Sequence, residues 1–264
     1  MAETYRARLL RHIRACETRL AEEQRALARQ AGQLVVMSAT QLHEGARLVP
    51  NTRRARADLK NRIWSEVVRP YFVGSGDNPF DGTVPRSPFA VLLYDGVEGA
   101  TRIAVEQQVN LLRRRIRDRR VLDWLTGPRP YPVTEQRGIY DPWHLWVDPS
   151  GYTLSDRVWR TAIEVRARID RLLDYHIGRG TAAVDIAELL EDFLTPGARR
   201  LRTRTPYGRE GSYAARRLAR TEISAAAGRA TVNPSIANPF VEGIQWSLSG
   251  SHPKPDICDD NARG

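Results

Sequence analysis

Apolar side chains open the chain in alternating steps of four and three: Leu9, Ile13, Cys16, Leu20, Leu27, Ala31 and Leu34, with Glu23 as the one polar residue on the seam. This spacing predicts a long helix over residues 3–37 with a coiled-coil-like stripe, serving either a bundle within the chain or a neighbouring protein. Gly32 is expected to weaken its end. Gly45 and Pro50 punctuate a short connector, and Leu59, Ile63 and Val67 then recur every four residues, predicting a helix from about Arg53 to Val68. Arg69–Pro70 is expected to stop it, because a residue before proline is pushed away from helical angles. Residues 70–100 carry Gly74, Gly76, Pro79, Gly82, Pro85 and Pro88 and read as mostly loop, anchored by Phe72 and Phe80 and suited to lying along a neighbour. Within them, Phe89–Tyr94 reads as a strand or a short buried helix.

Helical periodicity returns over Thr101–Leu125, with Val105, Val109, Leu112 and Ile116 on one face. A connector rich in proline and aromatic residues follows over 127–149. Thr153 with Asp156 three positions on resembles a capping box, starting a helix that buries Val158, Ala162, Val165, Ile169, Leu172 and His176 before Gly178–Gly180. Thr181 is placed to cap the next helix, whose Ile186, Leu190 and Phe193 face inward until Pro196–Gly197. Ser212 is placed to cap a third, running toward Gly228 with Ala214, Leu218, Thr221 and Ala225 as its small apolar face. A face this small implies close approach to another element. Ile244, Trp246 and Leu248 alternate with Gln245 and Ser247, predicting a strand over 241–248 with Trp246 packed on the preceding helices. The expected architecture is therefore mainly α: a helical, bundle-like body with long irregular connectors and a small C-terminal β element. Its expected divisions are 1–126, a connector at 127–149, and a helical domain at 150–264.

Charge adds a preference for anionic neighbours. The chain has 264 residues, 41 basic against 31 acidic, for a net charge of +10, and its only lysines are Lys60 and Lys254. Arg113, Arg114, Arg117 and Arg120 follow the Val105 stripe, and Arg216, Arg217 and Arg220 line the helix after Ser212. These are the candidates for contact with DNA or an acidic protein surface. No aromatic residues interleave with them in the manner of single-strand binders. Two cysteines, Cys16 and Cys258, do not make a disulfide framework, and no apolar run reaches the ~18 residues needed to span a membrane. The first residues lack the apolar core of a secretory signal, so synthesis and retention in a reducing cytosol are expected.

Little of the sequence converges on catalysis. Glu222 has no cation three or four positions away on its own helix, leaving it a surface group, a tertiary partner, or a catalytic or ligand group. His144 has no nucleophile or carboxylate at fixed spacing. His252, Asp256, Cys258 and Asp259 are metal-competent, but a single cysteine does not supply the paired spacing of a zinc site, and an ordered loop around Trp246 is the alternative. Phosphate-loop, dinucleotide, metalloprotease and nucleophile-elbow signatures are missing. No cofactor is expected.

Four quoted stretches carry a more specific signal: Tyr207-Gly-Arg-Glu-Gly-Ser-Tyr-Ala-Ala-Arg-Arg-Leu-Ala-Arg-Thr-Glu222-Ile, Asn238-Pro-Phe-Val-Glu-Gly, Trp246-Ser-Leu-Ser-Gly-Ser-His252-Pro, and Asp256-Ile-Cys258-Asp. Together with Asp148-Pro-Ser-Gly-Tyr-Thr-Leu-Ser-Asp-Arg-Val-Trp159, they resemble the head morphogenesis domain of tailed bacteriophages, a family related to the Mu F protein and the SPP1 minor head protein. The resemblance covers residues 140–260 and says little about 1–139. It implies a structural, non-enzymatic minor head protein, made in the host cytoplasm and housed in the virion near the portal. It also implies a role in capsid assembly, DNA packaging or ejection. Its implied partners are the portal protein, the major capsid protein and packaged double-stranded DNA, with copies arranged by the portal ring. Trp159, Glu222, Trp246, His252, Asp256 and Cys258 are the motif residues it marks as structural. Family members commonly carry further Cys and His residues after the first cysteine. The sequence ends at Gly264 without them, so it is expected to be truncated, processed or divergent there, and no metal role passes to Cys258. The alternatives are a nucleic-acid-binding internal virion protein and an enzymatic module centred on Glu222.

Overall fold

Thr4 opens the first helix: its hydroxyl accepts the Ala7 amide at 3.3 Å, and α1 then runs Tyr5–Met37. The computed structural model describes residues 4–43, 45–81, 84–115, 117, 120, 151–195 and 212–236. After α1 come a hairpin of β1 (Gln41–His43) and β2 (Ala46–Leu48), α2 (Arg53–Arg62), a π-helical segment (Ile63–Val68) and the short α3 (Arg69–Phe72). A second two-stranded pair, β3 (Phe80–Asp81) and β4 (Val84–Pro85), leads into α4 (Pro88–Arg115), and α5 (Leu154–Gly178), α6 (Ala183–Leu194) and α7 (Ser212–Ile236) complete the described elements. The fold is mainly α, as the periodicity predicts. The strand expected over 241–248 lies outside the described residues, as do the 127–149 connector and Trp246.

Helix α1 serves its own chain. Its C-terminal half lies along α6 and its N-terminal half along α4 and α7. Leu20, Leu27, Ala31 and Leu34 are buried on the predicted seam, and the interruption at Glu23 has a partner. The Tyr71 hydroxyl donates to Glu23 at 3.1 Å, while Arg19 donates to its other oxygen at 2.9 Å. Burial, then the Glu23 charge, holds the Tyr71 phenol well above its usual pKa. Gly32 is a contact rather than a weak end: a Cβ there would sit 3.0 Å from the Ala187 Cβ on α6, so the missing side chain lets the two helices approach.

The expectation of mostly loop over residues 70–100 holds only for its first half, and the buried-helix alternative for Phe89–Tyr94 is the one the fold takes. Proline at position 70 does not end the second helix, because the chain widens into the π-helical segment. There the Arg69 amide reaches the Trp64 carbonyl, and Pro70 enters the first turn of α3, where an amide is least needed. Between α3 and α4, from Val73 to Ser87, the described residues are irregular apart from the β3–β4 pair. Ser87 then caps α4, accepting the Ala90 amide at 3.1 Å and donating to the Phe72 carbonyl at 2.8 Å, with Pro88 in the first turn. Phe72 and Phe80 anchor this region inward, not onto a neighbour; the Tyr71, Phe72 and Phe89 rings meet edge to face within the core.

Helix α4 begins thirteen residues earlier than the Thr101 start, and its buried stripe is Phe89, Leu92, Leu93, Val97, Ala100 and Ala104, with Val105 and Val109 only half-buried. Gly96 and Gly99 lie on this stripe. The Ile223 side chain of α7 fills the space over Gly96, where a Cβ would come within 2.7 Å of it. The His12 ring lies over Gly99, with its Nε2 2.8 Å from the Gly96 carbonyl. Glycines that look like helix breakers in sequence are here the sites of closest helix approach.

Thr153 and Asp156 form a full capping box at the start of α5, which buries Val158, Ala162, Val165, Ile169 and Leu172 as predicted but leaves His176 only half-buried. Thr181 does not cap α6. That position falls to Ala182, which lends no side chain, while the Thr181 hydroxyl lies 3.2 Å from His176 Nδ1. Helix α6 packs chiefly on α1 and α7 on α4, with α5 touching both α6 and α7. One hydrophobic core draws residues from both α1–α4 and α5–α7.

Two predictions follow from this packing. Gly99→Ala should gain about 1 kcal/mol of helix propensity but displace His12, for a net loss of about 1–2 kcal/mol in urea unfolding. Gly228→Ala on α7, where a Cβ meets nothing within 4 Å, should instead stabilise by up to about 1 kcal/mol. His176 gives a pH signature. Burial, then the nearby Arg179 charge, lowers its pKa from the ordinary 6.5, so the unfolded chain holds the proton more tightly. Its contribution is intact above that ordinary value and is lost as pH falls toward the lowered one, so unfolding midpoints at pH 7.5 and 5.5 should differ less in His176→Leu than in the natural chain.

Candidate functional site

Helix α7 brings a carboxylate into the interior. Its buried stripe is Ala214, Ala215, Leu218, Ala219, Ile223, Ala226, Ala227 and Ala230; Ala214 and Leu218 lie on it as predicted, whereas Thr221 is exposed and Ala225 half-buried. Glu222 lies within that stripe, 1 % exposed. It is the tertiary partner among the three readings. Arg157 of α5 donates from Nη2 to its Oε2 at 3.1 Å, and the two side chains are 11 % and 2 % exposed. Arg157 Nη1 also reaches the Tyr152 carbonyl at 3.4 Å, just before the capping box that fixes where α5 begins.

A second guanidinium feels the same carboxylate. Burial lowers the pKa of Arg229, two turns beyond Glu222 on α7, while attraction to Glu222 opposes that shift and repulsion from Arg157 adds to it. An isolated buried carboxylate would cost several kcal/mol in lost hydration, and flanking arginines offset this. The arrangement fixes α7 against α5. Its chemistry is limited by access: a carboxylate sealed this way meets no substrate while the two helices stay together.

Trp159, one turn along α5, marks a different face. Its indole Nε1 donates to the Asp77 carbonyl at 3.0 Å, and its ring lies 6.4 Å from Trp64 of the π-helical segment. Arg166 stacks over Trp64 at 4.9 Å and Arg160 over Tyr152 at 4.5 Å. Ile163, 54 % exposed, completes a surface of aromatic rings, arginines and one aliphatic side chain, the composition found at the energetic centres of protein interfaces.

The arginine candidates separate into two groups. Arg113, Arg114, Arg117 and Arg120 are exposed at and beyond the end of α4. Arg220 is not a free cation, since its Nε donates to Glu17 of α1 at 2.8 Å, and Arg217 lies over the Tyr213 ring at 5.7 Å. Arg216 is half-buried on the same turn. Ser212, expected to cap α7, has a buried hydroxyl with no hydrogen-bond partner among the described residues. Trp246, His252, Asp256 and Cys258 lie outside the described residues. Among the described residues no cluster of His, Cys, Asp and Glu suits a metal, and no helix is long and apolar enough to cross a membrane.

Sequence reasoning missed Arg157. The signal was present, because a helix carboxylate without a cation on its own turns needs one from elsewhere, and Arg157 stands inside the other family-like stretch. Glu222→Gln should cost about 3–5 kcal/mol by leaving Arg157 buried and uncompensated. Replacing both residues by methionine should recover much of that loss, a difference readable in urea midpoints. Compared with family models, curated proteins and solved structures, the chain finds no match in any of the three.

Proposed function

We propose that this chain is a structural minor head protein of a tailed bacteriophage, seated at or near the portal and acting in capsid assembly or in DNA packaging and ejection. The observation that supports this reading is the Arg157–Glu222 pair. The resemblance rests on stretches 65 positions apart at these residues, and the two meet in one buried contact. Stretches resembling one family are expected to behave as parts of a single folded unit, and this pair makes them so. The site is then a structural one, and no turnover is assigned to it: Glu222 at 1 % exposure offers no oxygen to a substrate, which weighs against an enzymatic module centred there.

In this reading the protein works by position. The Trp64, Trp159 and Ile163 face, with Arg160 and Arg166, is the docking surface for the portal, and the helical body behind it supplies rigidity. Copies repeat around the portal ring, within the virion, after synthesis in the host cytoplasm. Contacts with the major capsid protein and packaged DNA belong to the same proposal.

Co-purification with the portal protein of the same virus at ~0.1 M and ~1 M salt tests the reading, because salt at the higher level screens exposed charges almost completely. A ring-bound complex that survives ~1 M salt and is weakened at least ~10-fold by Trp64→Ala/Ile163→Asp is the expected result. A folded chain that forms no complex with the portal at either salt would overturn it.

A further inference from the structure

Helices α1, α4 and α7 meet in a three-helix arm whose composition at its outer end differs from that of the body. Arg19 pairs with Asp95, His12 meets Gly96, and Arg8 pairs with Glu106, so α1 runs antiparallel to α4. Glu17 with Arg220 and Cys16 beside Ile223 set α7 antiparallel to α1 in the same way. The outer end of the arm therefore gathers the start of α1, the end of α4 and the end of α7. Leu9, Ile13, Ala100, Ile223 and Ala227 hold these helices together there.

Four carboxylates of this arm are engaged. Glu106 binds Arg8, Glu98 binds Arg102, Glu17 binds Arg220, and Glu222 binds Arg157. Arg6 and Arg14 of α1, Arg113 and Arg114 of α4, and Arg117 just beyond it are exposed and have no partner among the described residues. Among the described residues the fold thus leaves along the outer half of this arm a set of cations without counter-charges, drawn from segments about a hundred positions apart in sequence.

We infer that this outer end of the α1–α4–α7 arm is a binding surface for the phosphate backbone of double-stranded DNA. All its cations are arginines, whose planar, weakly hydrated guanidinium matches phosphate oxygens two at a time. Arg6 and Arg14 lie eight residues apart on one helix, ~12 Å by helical rise, a length of duplex axis that carries roughly seven phosphates. That spread suits a polyanion rather than a single bound phosphate. The same end also exposes Leu10, Leu111 and Val232, so an acidic protein surface is the competing occupant, and competition by polyglutamate separates the two. The inference deepens the packaged-DNA contact of the proposed function and rests on that reading, while duplex binding is measured without the portal, so failure of one is distinguishable from failure of the other. It also separates the arginine candidates, since Arg217 and Arg220 already have partners within the chain.

Titration of the full chain against a fluorescent duplex of about 24 base pairs, at several salt concentrations, tests this, with affinity falling about 0.9 log units per log unit of salt for each phosphate engaged. Arg6→Gln/Arg14→Gln/Arg113→Gln/Arg114→Gln should weaken binding at least ~10-fold and reduce the slope by roughly two to four contacts. Arg53→Gln/Arg54→Gln, on exposed positions of α2 away from the arm, should change affinity less than ~3-fold. Circular dichroism of each variant checks folding, and Arg113→Gln/Arg114→Gln alone, expected to lose ~3-fold, serves if the larger variant misfolds. The inference is overturned if the natural chain does not bind duplex, if the arm and α2 variants lose affinity equally, or if polyglutamate competes as well as unlabelled duplex at matched charge.

Discussion

Helix α1 is the constraint on which the rest of the fold depends. Its 33 residues give it two packing surfaces in succession, one for α6 and one for α4 with α7. Close approach is what makes each surface effective. Gly32 admits Ala187, Gly96 admits Ile223, and Gly99 admits the His12 ring, so the helices are held by dispersion contacts at short range rather than by bulky side chains alone. Leucine-rich packing is reserved for the middle, where Leu20, Leu59, Leu92, Leu93 and Leu172 are almost wholly buried.

The Arg157–Glu222 pair is a second constraint of a different kind. Apolar packing of α7 on α4 is keyed mainly by Ile223 over Gly96, the rest of the face being mostly alanine. A buried carboxylate adds a second key, since turning α7 would carry Glu222 away from its guanidinium and leave both uncompensated. The pair therefore helps to set the rotation of α7 about its axis, and with it which arginines face outward.

Much of the helical layout was legible because strong periodicity and capping chemistry are local. The α1 seam, the Thr153–Asp156 box and the inward faces of α5 and α6 follow from residues a few positions apart. The misreadings share one cause. Pro70 and Pro88 were weighed as breakers by local preference, whereas a π-helical widening and tertiary packing give each a place at the start of a helix. Ser87–Pro88 was the one local clue to the start of α4. Glu222 shows the limit most plainly: absence of a nearby cation was readable, but its partner Arg157 is brought there only by folding. The grouping of Arg6 and Arg14 with Arg113 and Arg114 is equally a property of the antiparallel arrangement, invisible to any linear window.

The pairing of α1 with α7 also carries a cost in time during synthesis. Glu17 and Arg220 are 203 positions apart, so the outer half of the α1 seam is made first and finds its α7 partner last. At the usual elongation rates of ~5–20 residues per second, Leu9, Ile13 and Cys16 wait roughly 10–40 s beside the ribosome with that side of the seam uncovered. A nascent chain with a waiting apolar stripe is a substrate for chaperones and for premature association with its own copies. The arginines alternating with that stripe, Arg6, Arg8, Arg11 and Arg14, then act as gatekeepers, keeping newly made chains apart by like-charge repulsion until α7 arrives.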